Sequence, residues 1–232
     1  MEMYLFLLRW IHFLAGITWI GLLYYFNFVQ TPFFAETDPA VRSGAIQKLV
    51  PRALWWFRWG AMFTFLSGIL IYFHRMGQSG WDGFFSTSYG WAITVGGLLG
   101  TIMFLNVWLV IWPNQKVVIA STTQVAQGGQ AIPEAAASAR RAALASRTNT
   151  LFSIPMLFYM GAASHLPLFG QAPTGASARM TIALIAIVGA LELNALIGSQ
   201  GPTKKPLDTV SGTLWAGFIL TALLYLLFLF FF

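Results

Sequence analysis

The sequence contains no cysteine and few charged residues, and both absences limit what the protein is. Only 9% of its 232 residues are Asp, Glu, Lys or Arg, whereas an ordinary globular domain has about 25%. The lack of cysteine excludes disulfides, thiolate-bound zinc, iron–sulfur clusters and covalently attached c-type haem. A metal or haem would therefore be bound by His, Met or oxygen ligands.

Long apolar runs take the place of the missing charge, because 57% of the residues are hydrophobic. A hydrocarbon core roughly 30 Å thick requires about 20 apolar residues in a helix. Six stretches approach that length: 4–28, 54–74, 91–112, 151–168, 180–197 and 214–232. The sequence predicts an all-α integral membrane protein, a single domain over 1–232 formed by a bundle of about six transmembrane helices in the lipid bilayer.

The basic residues lie between the apolar runs, as topology signals do, so nucleic acid is not an expected partner. An even number of helices places both termini on one side with the 75–90 and 169–179 connections. That side carries Arg9, Arg75 and Arg179, and the other carries ten Lys and Arg. The positive-inside rule therefore predicts a bacterial inner-membrane protein with both termini periplasmic and a cytoplasmic loop over 113–147, in which residues 132–147 form a surface helix.

All three histidines, His12, His74 and His165, are predicted near the outer face. Buried ionisable groups in membrane helices are candidates for function, and histidine is a common haem ligand. Gly16 and Gly161 each lie one turn inward of a histidine, His12 and His165 respectively, and leave room for a flat macrocycle. We expect His12 and His165 to bind haem b, with copper as the less favoured metal. The alternatives are a three-His copper site that includes His74, or interfacial histidines beside glycines that serve helix packing.

Other polar residues indicate further sites less specifically. Glu192 is the carboxylate deepest in a predicted span, and it is either a proton-relay or substrate-site group or a hydrogen-bonded structural residue. Gly96 and Gly100 predict close helix packing. A cluster rich in Trp and Arg at the cytoplasmic boundary is explained by interfacial anchoring or by binding of a flat anion; it comprises Arg52, Trp55, Trp56, Arg58, Trp59, Asn106, Trp108, Trp112, Asn114, Gln115, Lys116, Arg147 and Asn149.

Four ordered segments resemble the membrane domain of the bacterial membrane-bound urate oxidase (urate hydroxylase) family. They are RWIHFLAGITWIG at 9–21, WFRWGAM at 56–62, NVW with IWPNQK at 106–116, and ASRTNT through SIPMLF to SH at 145–165. The resemblance covers roughly residues 5–168, whereas the last two helices resemble that domain only in being hydrophobic. Members of that family commonly carry a C-terminal cytochrome c domain, which is not found in this sequence.

The resemblance implies electron transfer from a substrate toward cytochrome c. Combined with the histidine pattern, it leads to the hypothesis of a haem-b-binding electron-transfer protein or respiratory-complex subunit. Its partner would be a periplasmic cytochrome c or another membrane-complex subunit. The alternatives are a urate-oxidising membrane enzyme and a cofactor-free structural subunit of a membrane complex.

Overall fold

In the computed structural model, residues 2–170 and 176–232 are described, and within them every regular element is helical. The α-helices are α1 Glu2–Tyr24, α2 Thr31–Glu36, α3 Pro39–Lys48, α4 Val50–Phe85, α5 Ser88–Leu105, α6 Trp112–Ala126, α7 Ala135–His165, α8 Ala176–Leu196, α9 Lys205–Asp208 and α10 Val210–Phe231. The prediction of an all-α fold is confirmed.

Two π-helical segments connect α-helices without a break. Tyr25–Gln30 joins α1 to α2, and Asn106–Ile111 joins α5 to α6. Each segment ends two residues before a proline, Pro32 or Pro113. A proline ring clashes with the carbonyl four residues earlier in an α-helix, and in both places that carbonyl belongs to the π segment. The wider π turn moves the carbonyl away, so the helix continues through the proline instead of ending.

Five described helical stretches are long and apolar enough to cross a membrane: Met3–Glu36, Val50–Phe85, Ser88–Ala126, Ala178–Leu196 and Val210–Phe231. Large apolar side chains point outward from them; Phe13 is 68% and Phe230 is 79% exposed. Such an apolar exterior is suited to lipid contact and not to water, so the chain is a membrane protein.

The sixth predicted span, 151–168, is different. Its residues 151–165 form the second half of α7, which ends at His165, three residues before the predicted end, and is not among the five stretches. The helix predicted over 132–147 begins three residues later than expected, because α7 starts at Ala135, and it is continuous with the second half of α7 and not separate from it. The third span also extends further than predicted, because its helix reaches Ala126 and not residue 112. The predicted 113–147 loop is thus largely helical, while its cytoplasmic location stays a prediction.

α7 is packed closely between α5 and α10. A side chain added at Gly96 would lie 3.2 Å from Met160, and one added at Gly217 would lie 2.8 Å from the Leu151 carbonyl oxygen. Small residues permit this close approach of helix backbones in membranes. The packing role predicted for Gly96 and Gly100 is confirmed, since Gly100 faces Met156 at ordinary contact distance.

Contacts between helices define two ends of the bundle. At one, termed the terminal end, Tyr4 lies beside His74, and Phe232 contacts Trp91 at the start of α5. At the other, termed the polar end, Asn27 donates to Ser146. The first and last described residues therefore lie at the same end of the bundle. Which side of the membrane that end faces stays a prediction, and residues 171–175 of the predicted 169–179 connection lie outside the described residues.

Candidate functional site

His12 lies on the face of α1 that packs against α4. Its Nδ1 is 3.2 Å from the Ser67 hydroxyl, and a side chain added at Gly68 would lie 3.0 Å from its ring. The Ser67 hydroxyl itself donates to the Phe63 carbonyl at 2.6 Å. Because that hydroxyl has a single proton, it accepts from His12 Nδ1–H. In the tautomer that this arrangement favours, the acceptor lone pair of the imidazole is on Nε2; the imidazole also has a hydrogen bond with the Thr64 backbone.

His165 is at the last residue of α7, where its side chain is exposed. Gly161, one turn earlier, is exposed too, and a side chain added there would meet nothing within 4 Å. Gly16 is more enclosed, because an added side chain would touch Thr64 at 3.8 Å. The space predicted beside each histidine is therefore open at Gly161 and adjoins α4 at Gly16.

His74 is half-buried within α4, which continues past it and has a non-helical residue at Gly80. Its ring centroid is 6.2 Å from that of Tyr4, and its buried Nε2 has no hydrogen-bond partner in the described part of the chain. All three histidines thus lie in the half of the bundle toward the terminal end.

Within the described residues, no hydrogen bond or ring contact joins one histidine to another. Tyr24 of α1 is hydrogen-bonded to Ser153 of α7, and Asn27 of the first π segment donates to Ser146 of α7, both in the opposite half of the bundle. Among residues 2–170 and 176–232, no group of three or more His, Asp or Glu side chains is placed to hold a metal ion. Ligation by His12, His165 and His74 stays a prediction.

The polar half contains a hydrogen-bond network that joins three helical segments. Asn106 Nδ2, in the second π segment, donates to Asn149 Oδ1 of α7 at 2.9 Å and to Glu192 Oε2 of α8 at 3.1 Å. Asn149 Nδ2 in turn donates to the Met103 carbonyl. Glu192 therefore has a structural partner, while a role in proton relay or substrate binding stays a hypothesis.

A cavity of about 120 Å³ adjoins the polar end of the bundle. Its walls are formed by the first π segment, the start of α4, the junction of the second π segment with α6, and α7. They combine the polar side chains of Asn27, Gln30, Thr31, Gln115, Ser146 and Arg147 with the apolar residues Phe26, Val50, Leu54, Phe57, Ile111, Ala142 and Ala143. π segments in α-helices frequently mark functional sites, and here both contribute to one cavity.

Arg147 is the single charged residue among those described in the cavity wall. It is only 8% exposed, and its Nη1 has no hydrogen-bond partner within the described residues. Burial lowers the pKa of its guanidinium, and the negative charge of Asp208 opposes this shift. Gln30 Oε1, on the same cavity, is likewise buried without a partner. The wall thus offers one unused cationic donor and one unused acceptor.

The Trp and Arg cluster predicted from the sequence is divided among this cavity, the surface and the buried network, which contains its members Asn106 and Asn149. Arg147 and Gln115 line the cavity. Arg58 instead stacks on Trp112, with its Cζ 3.6 Å from the ring centroid. Trp56 is 59% exposed, which suits an interfacial anchor.

Sequence reasoning missed three residues that the structure places at these sites: Ser67, Asn27 and Gln30. Asn27 interrupts an apolar run, and Pro32 follows it closely. These two features together were the signal in the sequence for an irregular helix. Ser67 gives no such signal, because serine in a membrane helix commonly bonds to its own backbone.

A comparison with protein families matches residues 81–225 to the family described as Urate oxidase N-terminal. The match spans more than half of the chain. It includes the network of Asn106, Asn149 and Glu192, and it extends into α10, whereas the segments around His12 and Arg58 precede it. No curated protein and no solved structure matches the chain.

Proposed function

Because the chain belongs to the urate oxidase N-terminal family, whose name points to an oxidoreductase-related role, we propose that it is a haem-b-binding membrane electron-transfer protein or respiratory-complex subunit. His12 and His165 would hold the haem iron in this proposal. The protein passes electrons toward a cytochrome c-type carrier at the outer face of the membrane.

The hydrogen bond between His12 and Ser67 is the observation that carries the proposal. Histidine ligands usually donate their second ring N–H to an oxygen, which fixes the tautomer and the ring orientation. Ser67 accepts from Nδ1 because its own proton is donated to the Phe63 carbonyl. In that tautomer, Nε2 of His12 carries the lone pair that would bind a metal.

His165 and Gly161 supply the second half of the proposed site. The imidazole is exposed at the end of α7, and the open space beside Gly161 leaves its backbone accessible. When bound, haem b supplies one-electron exchange between ferric and ferrous iron, and its axial ligands influence the potential. The residues of this chain hold and orient it.

A reduced-minus-oxidised visible spectrum and a pyridine haemochrome assay on protein purified in detergent test the proposal. We expect a b-type signal that is lost in His12→Ala and in His165→Ala. His74→Ala is the matched control and should retain it. A flat spectrum from the wild-type protein, under conditions that load a known cytochrome b, would refute haem binding.

The same preparation separates the alternatives. Copper found by metal analysis in place of haem, and lost in His74→Ala as well, would indicate the three-His site. Urate consumption that requires an added electron acceptor would indicate the urate-oxidising enzyme. A colourless, metal-free and stable protein would favour the structural subunit.

The proposed location of the haem depends on the orientation of the chain, which the absence of native cysteine makes testable. Ser79 lies near the terminal end, and Gln127 follows α6. Both residues are exposed, so Ser79→Cys and Gln127→Cys would each provide an accessible thiol. We expect a membrane-impermeant maleimide added to intact spheroplasts to label Ser79→Cys and not Gln127→Cys. The reverse pattern would place the histidines at the cytoplasmic face.

A further inference from the structure

Arg58 of α4 is held in place by two aromatic rings and a backbone carbonyl. Its Cζ lies 3.6 Å from the ring centroid of Trp112 and 5.4 Å from that of Trp108. Its Nε donates to the Leu54 carbonyl at 3.2 Å. Within the described residues, no hydrogen bond is made by the two terminal amino groups of the guanidinium. The stacking therefore fixes a cation whose terminal N–H groups are free to bind a further acceptor.

A second cation lies beside the same indole ring. Lys116 is exposed, and its Nζ is 5.6 Å from the Trp112 centroid, so the two cations are no further apart than the sum of their distances from that ring. The one salt bridge among the described residues joins Arg140 to Asp208, which leaves both cations without a carboxylate partner. Like charges so placed repel each other, and a bound anion would offset that repulsion.

An apolar surface continues from these cations toward the terminal end. Trp108 packs edge to face against Trp59, with ring centroids 5.8 Å apart, and Trp59 lies 6.0 Å from Phe63, one turn further along α4. Phe63 is 53% exposed, and Leu66 of α4 and Leu109 of the second π segment are exposed as well. The two cations thus lie at one end of an outward-facing apolar surface.

The length of α4 places Arg58 near a membrane boundary. Arg58 and Trp112 each directly follow a residue of the cavity wall at the polar end. From Arg58 to His74, α4 rises about 24 Å, and the hydrocarbon core is roughly 30 Å thick. Trp and Arg side chains are typical of the headgroup level. A cation that only reached for water would extend away from the bundle, whereas Arg58 is stacked flat on an indole ring.

We propose that this surface binds one anionic phospholipid. Its phosphate accepts hydrogen bonds from the terminal N–H groups of Arg58 and contacts Lys116, and its acyl chains lie along Trp59 and Phe63. A guanidinium is suited to phosphate because it donates two parallel hydrogen bonds. Two cations favour a headgroup with net negative charge, since they would repel the ammonium group of a zwitterionic headgroup. The site is separate from the histidines, and the proposed haem does not use it.

Native mass spectrometry of the full chain in detergent, titrated with dioleoyl phosphatidylglycerol or dioleoyl phosphatidylcholine, tests the proposal. We expect wild-type protein to bind the phosphatidylglycerol more tightly. Arg58→Gln combined with Lys116→Gln should weaken phosphatidylglycerol binding at least about tenfold, as expected for loss of a charge-assisted hydrogen bond. The affinity for phosphatidylcholine should change much less. If the double variant does not fold, Lys116→Gln alone replaces it, because Lys116 is exposed, and should weaken phosphatidylglycerol binding several-fold.

Arg141→Gln combined with Lys205→Gln is the matched control. It removes the same charge from two exposed residues outside the cluster and should leave phosphatidylglycerol binding unchanged. Equal weakening by the two double variants would indicate a general effect of surface charge and would overturn the proposal. Equal affinities of the wild type for the two lipids would overturn it too.

Two further measurements separate a lipid from a free anion. Phe63→Ala should weaken phosphatidylglycerol binding several-fold, whereas Phe13→Ala, which removes an exposed ring from α1, should not. Inorganic phosphate at millimolar concentration should not displace the lipid, because it makes no use of the apolar surface. Displacement by phosphate, or equal binding by the two phenylalanine variants, would show that the acyl chains are not recognised and would refute a lipid site.

Discussion

Replacement of Asn149 by alanine should loosen the contact between α5 and α7. Asn149 is fully buried; it donates to the Met103 carbonyl and accepts from Asn106, both at 2.9 Å. Each such bond contributes about 0.5–1.5 kcal/mol net, so their loss costs about 1–3 kcal/mol. Asn106 retains Glu192 as its acceptor, which limits the penalty for unsatisfied groups.

Thermal unfolding in detergent, followed by intrinsic tryptophan fluorescence, measures this effect. For a protein of this size, 1 kcal/mol corresponds to about 2–4 °C in Tm. We therefore expect Asn149→Ala to lower the Tm by about 2–12 °C.

Asn114→Ala is the control, because it removes an asparagine that bonds only to Val110 one turn earlier in its own helix. Its side chain is half-buried, and no bond between helices depends on it. The Tm of this variant should stay close to that of the wild type. If Asn149→Ala melts no lower than Asn114→Ala, the network does not hold these helices together, and the reasoning from its geometry fails.

Three further substitutions test other contacts. Gly217→Ala should lower the Tm, because the added carbon would lie 2.5 Å from the Ile154 side chain of α7, and overpacking of this kind costs about 1–3 kcal/mol. Gly97→Ala should leave the Tm unchanged, because the space around Gly97 is open. Ser67→Ala should shift the b-type spectrum or weaken haem retention without abolishing it, because it removes only the hydrogen-bond partner of His12. An unchanged spectrum and unchanged retention would refute the positioning role of Ser67. Lys204→Met should lower the Tm more than Lys205→Met, since the buried Lys204 amine donates to two carbonyls in and just after the last turn of α8; equal melting of the two variants would contradict this capping role.

The membrane helices could be predicted because length and hydropathy act locally. The five long apolar stretches were all recognisable from the sequence, and so was the glycine pair of α5. The second half of α7 is less apolar than a typical membrane span, because Asn149 and Thr150, which directly precede it in the helix, are polar but buried. Thr150 donates to the Ser146 carbonyl of α7 itself, whereas Asn149 bonds to Met103 and Asn106 on other helical segments. Partners as distant in the sequence as those of Asn149 are invisible to a hydropathy pattern.

The candidate sites were less predictable for the same reason. Arg147 next to a predicted span fits a cation that extends to the membrane surface, and only the packed bundle shows it buried beside a cavity. Asn27 and Gln30 reach that cavity through a π turn, whose position depends on Pro32 and on continuation of the helix beyond it. Without that continuation, the proline would predict a helix end.

The π segment Tyr25–Gln30 also determines the rotational phase of everything that follows it on the helix. A π turn accommodates one residue more than an α turn, and one residue corresponds to about 100° of rotation and 1.5 Å of rise. A deletion of one residue between Phe28 and Gln30 would allow an ordinary α-helix of nearly unchanged length. The membrane span would survive, but Gln30 would be turned away from the face it shares with Asn27. Related chains that differ by one residue here would thus cross the membrane alike and present different side chains to the cavity.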